Sequence, residues 1–531
     1  MNLGVNRRFF FQTALAGIGG LTARSLWADG TRGRVQGDAG RVLAQLDRRI
    51  YGQNLEFIGR IMEGGILAEP GSQSPQFGPG FRTDVRDALR ELGVTHCRWP
   101  GGCFADAYDW RDGIGEERSR QKNLMWDRPL FRYAAYAVGE FKAKWGTEVN
   151  HHFGTGEYLD YCRQIGAEPS LTASLEPDSP DQAAAWVAYV REKFGPRAVP
   201  VWAVGNEQWN PLEHNGCSGR PARYVERFLR WAEAMRRENP LIQLVASGND
   251  ELRLPEWNRV LLEGIGRKMD YLSYHIYLPG PSLKHDIPHD EAAYLALATS
   301  GLQVEESLHR GAEGMARILG EPVPIALDEW NVNSTIRSFI SPYISLREAI
   351  AAAGIIHALH RQAGLVKIAD QFAAVNSTAP AIITDRDRLA RTPMFHLLRM
   401  YSRSSLAQTA PVETASPFFS TRPLGHLPGR DRVPFLDASL TAAEGRATLF
   451  LINRHPRDPL EVEIEIEGIK PGAEAVLEAV AGPSFQSENR IGGPETVRAV
   501  SRNLTWPERI SLPPCSVSAL ATGLAEKEAG G

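Results

Sequence analysis

Cysteine is scarce. Five residues in 531 (Cys97, Cys103, Cys162, Cys217 and Cys515), irregularly spaced, exclude a disulfide scaffold or a zinc cluster. Neither sign of charge is in surplus: 59 Lys and Arg face 63 Asp and Glu, a formal net charge of -4. Without a basic excess the chain lacks the phosphate-neutralising charge of a nucleic-acid binder. No run beyond the N-terminus approaches the roughly 20 apolar residues that span a bilayer. No P-loop or dinucleotide fingerprint is present, so no cofactor is expected. Nor is a metal: no His-x-His ends the first candidate strand, and His151, His152, His285 and His289 read as solvated loop residues. What remains is ordinary globular composition, 43% hydrophobic and 23% charged, long enough for more than one domain.

The N-terminus stands apart. Arg7-Arg8 precede Phe9-Phe10-Phe11 and a small, weakly hydrophobic stretch at 13–23, and Ser25-Leu26-Trp27-Ala28 offers a cleavage point. Residues 1–28 resemble a twin-arginine export signal, which implies a periplasmic or extracellular protein with no membrane attachment once the signal is removed.

From 46 to 395 short β-branched runs alternate with amphipathic helical stretches, the pattern of a parallel sheet covered by helices. Candidate strands are 50–56, 95–99, 168–174, 199–207, 241–247, 271–277, 323–329 and 365–369. Between them, Tyr224, Phe228, Trp231 and Met235 recur on one helical face, and 345–363 reads similarly. Eight strands suit a closed (β/α)8 TIM barrel; a doubly wound open sheet is the alternative, but its glycine-rich phosphate turn is missing. Residues 396–531 change character. In 460–467, Val462, Ile464 and Ile466 alternate with Glu461, Glu463 and Glu465, a strand with one dry face. With 446–454, 473–480 and 516–521 it predicts a C-terminal antiparallel β-sandwich, joined by the N-terminal segment 29–45.

Two strands run into carboxylates. Val201 to Val204 lead into Gly205-Asn206-Glu207, and Ile325-Ala326-Leu327 into Asp328-Glu329-Trp330. Barrel enzymes build their sites at the C-terminal ends of the strands. Counted as strands four and seven, these place two acids at one mouth, with Trp209 and Trp330 beside them. That is a constellation for glycoside hydrolysis, in which one acid protonates the leaving oxygen and the other attacks the anomeric carbon. Either Glu alone would be read as a solvated loop residue.

Further segments complete the picture: Ile50-Tyr51-Gly52-Gln53-Asn54-Leu55-Glu56, Arg98-Trp99-Pro100-Gly101-Gly102-Cys103-Phe104, Trp110-Arg111-Asp112-Gly113, 150–158, and Ser273-Tyr274-His275-Ile276-Tyr277. Over about 42–402 the chain resembles the α-L-arabinofuranosidases of glycoside hydrolase family 51. The resemblance implies a retaining exo-glycosidase that acts on terminal arabinofuranosyl groups of plant-type polysaccharides or oligosaccharides, a step in L-arabinose metabolism, and it implies a homo-oligomer. It also implies Glu207 as general acid/base and Glu329 as nucleophile, with Asn206 on the sugar 2-hydroxyl and Arg98 holding Glu329 ionised. Glu56, Cys103, His275 and Tyr277 would line the subsite, with Trp110 and Trp330 among the substrate-binding residues. On their own residues, Cys103 reads as a small buried hydrophobe, and His275 and Tyr277 read equally as core.

Some positions depart from the family. Phe57 stands where a histidine is usual, Ala373 where a glutamine is usual (Gln371 lies two residues earlier), and 210–216 replaces a glycine-rich loop. These put the sugar in question: a galactofuranosidase, β-xylosidase or endoglucanase on the same scaffold is one rival, a non-catalytic carbohydrate-binding relative another.

Overall fold

The computed structural model describes residues 31–116, 120–122, 148–211, 213, 217, 219–280, 287–332, 342–443, 445–470 and 472–523. The expected export signal at 1–28 lies outside them.

Eight parallel strands close a barrel in chain order: β1 (Gly52–Asn54), β2 (His96–Trp99), β3 (Glu168–Ala173), β4 (Val201–Val204), β5 (Gln243–Ala246), β6 (Tyr271–Leu278), β7 (Ile325–Val332) and β8 (Val366–Gln371). All eight fall on the candidate strands. Helices cover the outside. Pro221–Glu238 starts with proline at its first turn and buries Tyr224, Phe228, Trp231 and Met235 completely. Leu346–Arg361 begins in a capping box, the Glu348 carboxylate accepting from the Ser345 backbone N–H at 2.9 Å. Among the described residues no helix is long and apolar enough to cross a membrane.

Alternation along the strands sorts side chains into layers. Trp99, Trp202 and Leu327 face the helices and join the main core. Val201, Ala203, Val245, Tyr271, Ala326 and Ile368 form a separate apolar cluster inside the barrel. Above it lie buried polar and charged groups, among them His96, Arg98, Ser273, Asp328 and Asp370.

One strand breaks the alternation. Against β6, the pairing Ser273 to Ala326 is followed by His275 to Glu329; against β8, Leu327 to Ala369 is followed by Trp330 to Gln371. On each side β7 advances three residues while its neighbour advances two. This is a β-bulge at Asp328–Glu329.

The helix after β8, Pro393–Ser404, crosses the expected junction at 395/396 and packs on both sides of it, Leu398 beside Trp330 and Ile356 and Tyr401 stacked on Phe450 with centroids 4.5 Å apart. The sandwich follows as β9 (Gln408–Ala410), β10 (Val412–Ala415), β11 (Leu436–Ala443), β12 (Arg446–Asn453), β13 (Leu460–Glu467), β14 (Glu474–Ala481), β15 (Arg498–Thr505), β16 (Arg509–Leu512) and β17 (Ser516–Gly523). The N-terminal strand Arg32–Asp38 sits between β10 and β13, while Ala44–Gln45 extends the second sheet beside β9. The sandwich is not purely antiparallel: Arg32–Asp38 runs parallel to β13. Val35, Leu449, Leu451, Leu460 and Val462 fill the space between the sheets.

Candidate active site

Glu207 lies three residues past the end of β4. Gly205 (φ 76) and Glu207 itself (φ 40) adopt left-handed backbone. A side chain is rarely held there, and such strain clusters where a functional group is being aimed. The Glu207 carboxylate accepts from His275 Nδ1 at 2.9 Å and from Asn210 Nδ2 at 3.0 Å.

Glu329 enters the barrel because of the bulge. Ala326 faces inward, so strict alternation would send Glu329 out toward the helices with Leu327; the extra residue turns it back. Arg98 Nη1 donates to its Oε1 at 2.8 Å, and the Tyr277 hydroxyl donates to its Oε2 at 2.6 Å. His275 Nδ1 lies 3.4 Å from the same Oε2. Oxygens of Glu207 and Glu329 and a ring nitrogen of His275 all fall within 4.8 Å of one another.

Arg98 ties the cluster together. Its Nη2 donates to Asn206 Oδ1 at 2.8 Å, which fixes the amide and leaves Asn206 Nδ2 without a hydrogen-bond partner among the described residues. Glu56 closes the far side, its Oε1 accepting from the Phe104 backbone N–H at 2.7 Å. The glycine pair makes this packing feasible. A Cβ at Gly102 would come within 2.4 Å of Glu329 Oε1, and one at Gly101 (φ +98) within 2.4 Å of the Glu56 Cβ. Cys103 donates to Glu213 Oε1 at 2.8 Å, and both lie close to Glu207.

The electrostatics follow from crowding four acids around two cations. Burial opposes charge on His275, but the Glu329 carboxylate and hydrogen bonds to Asp328 and Glu207 lift it to about 10. The ring is therefore an imidazolium at neutral pH. Burial alone would raise the Glu207 carboxyl; the hydrogen bond from His275 and its charge hold it below the usual value instead. Burial, then the Glu329 charge, push Glu56 up to about 7. Burial pushes the Tyr277 hydroxyl well above its ordinary range, so it stays a donor.

Groups with metal-ligand chemistry also converge here, as Cys103–Glu207–Glu213 and Glu207–His275–Glu329. In the second set His275 Nδ1 is already engaged by Glu207, and its Nε2 lies 3.5 Å from Asp328 Oδ1. Outside it, His151 stacks on Tyr108 with centroids 5.9 Å apart.

Two expected residues lie elsewhere. Trp110 stacks on Trp186 and donates its Nε1–H to the Gln182 carbonyl at 3.1 Å, within an aromatic cluster under helix Asp181–Phe194. Trp330 follows the bulge and points outward, lining a small cavity with Ile50, Ile356 and Leu398. Glu56, Arg98, Cys103, Asn206, Glu207, His275, Tyr277 and Glu329 do come together. Ser273, Asn210, Glu213 and Asp328 were not foreseen. Two consecutive acids in an otherwise apolar strand were the only hint of Asp328. At the departures, Phe57 packs on Phe104 with centroids 4.9 Å apart, Ala373 is buried, and Gln371 Nε2 is spent on the Ala379 carbonyl at 2.8 Å.

The family profile described as "Alpha-L-arabinofuranosidase 1 domain" matches residues 88–292, and "Alpha-L-arabinofuranosidase C-terminal domain" matches 328–516. The chain is 27% identical over 495 residues to an intracellular exo-α-L-arabinofuranosidase of Bacteroides ovatus, covering 87% of this chain and 89% of that protein. It is 28% identical over 503 residues to a probable α-L-arabinofuranosidase C of Aspergillus niger, covering 88% and 92%. The crystal structure of the α-L-arabinofuranosidase from Thermotoga maritima in complex with arabinose superposes with a TM-score of 0.78 at 27% identity, over 93% of this chain and all of that one. Two profiles that follow one another along barrel and sandwich, with relatives aligned over most of their length, show that the chain belongs to the α-L-arabinofuranosidases of glycoside hydrolase family 51.

Proposed function

We propose that the chain is a retaining exo-glycosidase that removes terminal non-reducing α-L-arabinofuranosyl groups from arabinose-containing polysaccharides or oligosaccharides. The observation that carries the mechanism is the approach of the Glu207 and Glu329 oxygens to within 4.8 Å. Measured between carboxyl groups, retaining pairs stand about 5–5.5 Å apart and inverting pairs about 6.5–9.5 Å to admit a water, and an oxygen of each acid inside 4.8 Å of the other favours the former. In the first step a Glu329 oxygen attacks the anomeric carbon, and the bond to the leaving oxygen breaks as that oxygen takes a proton. The Glu207–His275 hydrogen bond supplies the proton: it rests on the imidazole in the free enzyme and passes through the Glu207 carboxyl. In the second step water attacks the glycosyl ester, Glu207 accepts its proton, and Glu329 leaves as carboxylate. Asn206 Nδ2 is available to the 2-hydroxyl, a bond that tightens in the transition state.

The sugar is read from the relatives, whose names specify arabinofuranose. A panel of aryl glycosides tests it. Turnover of the α-L-arabinofuranoside above all others is expected. Preference for a galactofuranoside or a xyloside would reassign the sugar, consistent with Phe57 and Ala373, and no turnover of any would make the chain a binding relative. Export is supported by Arg7-Arg8 and the stretch that follows, although the B. ovatus relative is named intracellular. Cell fractionation should find the protein outside the cytoplasm, and Arg7→Lys with Arg8→Lys should retain it inside.

A further inference from the structure

Asp328 has no part in the chemistry above, yet it is 4% exposed and shares the barrel interior with the reacting groups. In a regular strand only one of two consecutive residues can face the axis. The bulge in β7 brings both acids inside. Asp328 Oδ1 accepts from Ser273 Oγ at 2.5 Å and lies 3.5 Å from His275 Nε2; its Oδ2 lies 3.4 Å from Arg98 Nε. Each cation of the site is thus held from both sides. Arg98 has Asp328 behind it and Glu329 in front; His275 has Asp328 at Nε2 and Glu207 at Nδ1.

We propose that Asp328 is a positioning residue for proton transfer: it engages the rear nitrogen of His275, so that Nδ1 presents its proton to Glu207. The logic is that of any relay in which a proton carrier is oriented by a third group. It rests on the reading of Glu207 as acid/base. A purely structural ion pair with Arg98 would need neither the Ser273 bond nor contact with the imidazole. The charged and titratable groups facing His275 are Glu207 from beyond β4, Asp328 and Glu329 from β7, and Tyr277 on its own strand through Glu329; Arg98 lies against Asp328, and Asp370 interacts with both.

The test is Asp328→Asn, which keeps the shape and removes the charge. Losing an anion beside the proton-bearing pair favours deprotonation, so the basic limb of kcat/KM should move down by about one pH unit. Aryl substrates with poor leaving groups should lose on the order of 10-fold more than activated ones, because they need the proton. An equal loss for all substrates with the basic limb in place would make Asp328 merely structural and overturn the proposal. If Glu207→Ala itself fails to discriminate between leaving groups, the acid/base reading falls and takes this proposal with it. Should Asp328→Asn not fold, nitrogen-15 spectra of the wild-type enzyme labelled at histidine, assigned with His275→Gln, still decide. A doubly protonated His275 ring at pH 7 is expected, and a neutral ring would overturn the proposal.

Discussion

Glu207 and Glu329 share a chemical identity and differ only in what surrounds them. Glu329 is gripped by Arg98 and Tyr277, and Glu207 by His275 and Asn210, so the mobile proton belongs to the Glu207–His275 side. Replacing Glu207 by Ala should cost poor leaving groups on the order of 100-fold or more in the first step, while sparing activated phenols. The second step then limits, and stopped-flow should record a burst of phenol. The basic limb should flatten, because deprotonation at high pH no longer removes an acid that is already gone. An equal loss for all leaving groups would reduce Glu207 to a binding residue. Gly102→Ala addresses packing: its methyl would fall 2.4 Å from Glu329 Oε1, so kcat should drop on the order of 100-fold with an unchanged circular dichroism spectrum. Near-normal turnover would show that the carboxylates have room to spare. Glu207 was legible in the sequence, since an apolar strand ending in Gly-Asn-Glu aims an acid at a barrel mouth. The partner that controls its proton was not. His275 reads equally as core until Glu207, Asp328 and Glu329 are seen around it.

Strands and helices were easier to read than faces. Short β-branched runs set between amphipathic helical stretches located all eight barrel strands. Which residues point inward depends on register, and register failed at the bulge. Trp330 sits beside Glu329 in sequence, but the bulge leaves it among helix residues; Trp110 likewise belongs to an aromatic layer. No local pattern announces an extra residue in a buried parallel strand. The N-terminal strand Arg32–Asp38 makes a different point. It pairs with β10 on one side and β13 on the other, and Val35 is completely buried. Removing 29–38 would open two strand edges and unseat that side chain. The truncated enzyme should melt several degrees lower and aggregate on heating, and an unchanged melting temperature would mean that the strand is dispensable.

Barrel and sandwich are joined by a buried ion cluster. Asp437 of β11 accepts from Arg454 Nη2 at 2.5 Å and from Arg361 Nη1 at 3.1 Å, and His357 approaches at 3.5 Å. Burial would raise the Asp437 carboxyl, but Arg454, Arg361 and His357 hold it well below its usual 3.8. A depressed folded-state value contributes stability that is present above 3.8 and lost as pH falls through the lower value. Asp437→Asn should therefore destabilise by about 3–5 kcal/mol at neutral pH, with the difference from wild type shrinking in strong acid; a difference that stays constant with pH would rule out the charge as its cause. The proposed catalytic pair depends on this whole framework, with Glu207 beyond β4, Glu329 on β7 and Arg98 on β2 meeting at one end of the barrel. The central claim is that Glu329 forms the covalent bond to the sugar. The direct measurement is to incubate Glu207→Ala with an activated aryl α-L-arabinofuranoside, quench during the slow second step, and map the modified peptide by mass spectrometry. The account predicts one pentosyl group esterified to Glu329. A sugar on any other residue, or no adduct together with inverted arabinose as first product, would contradict it.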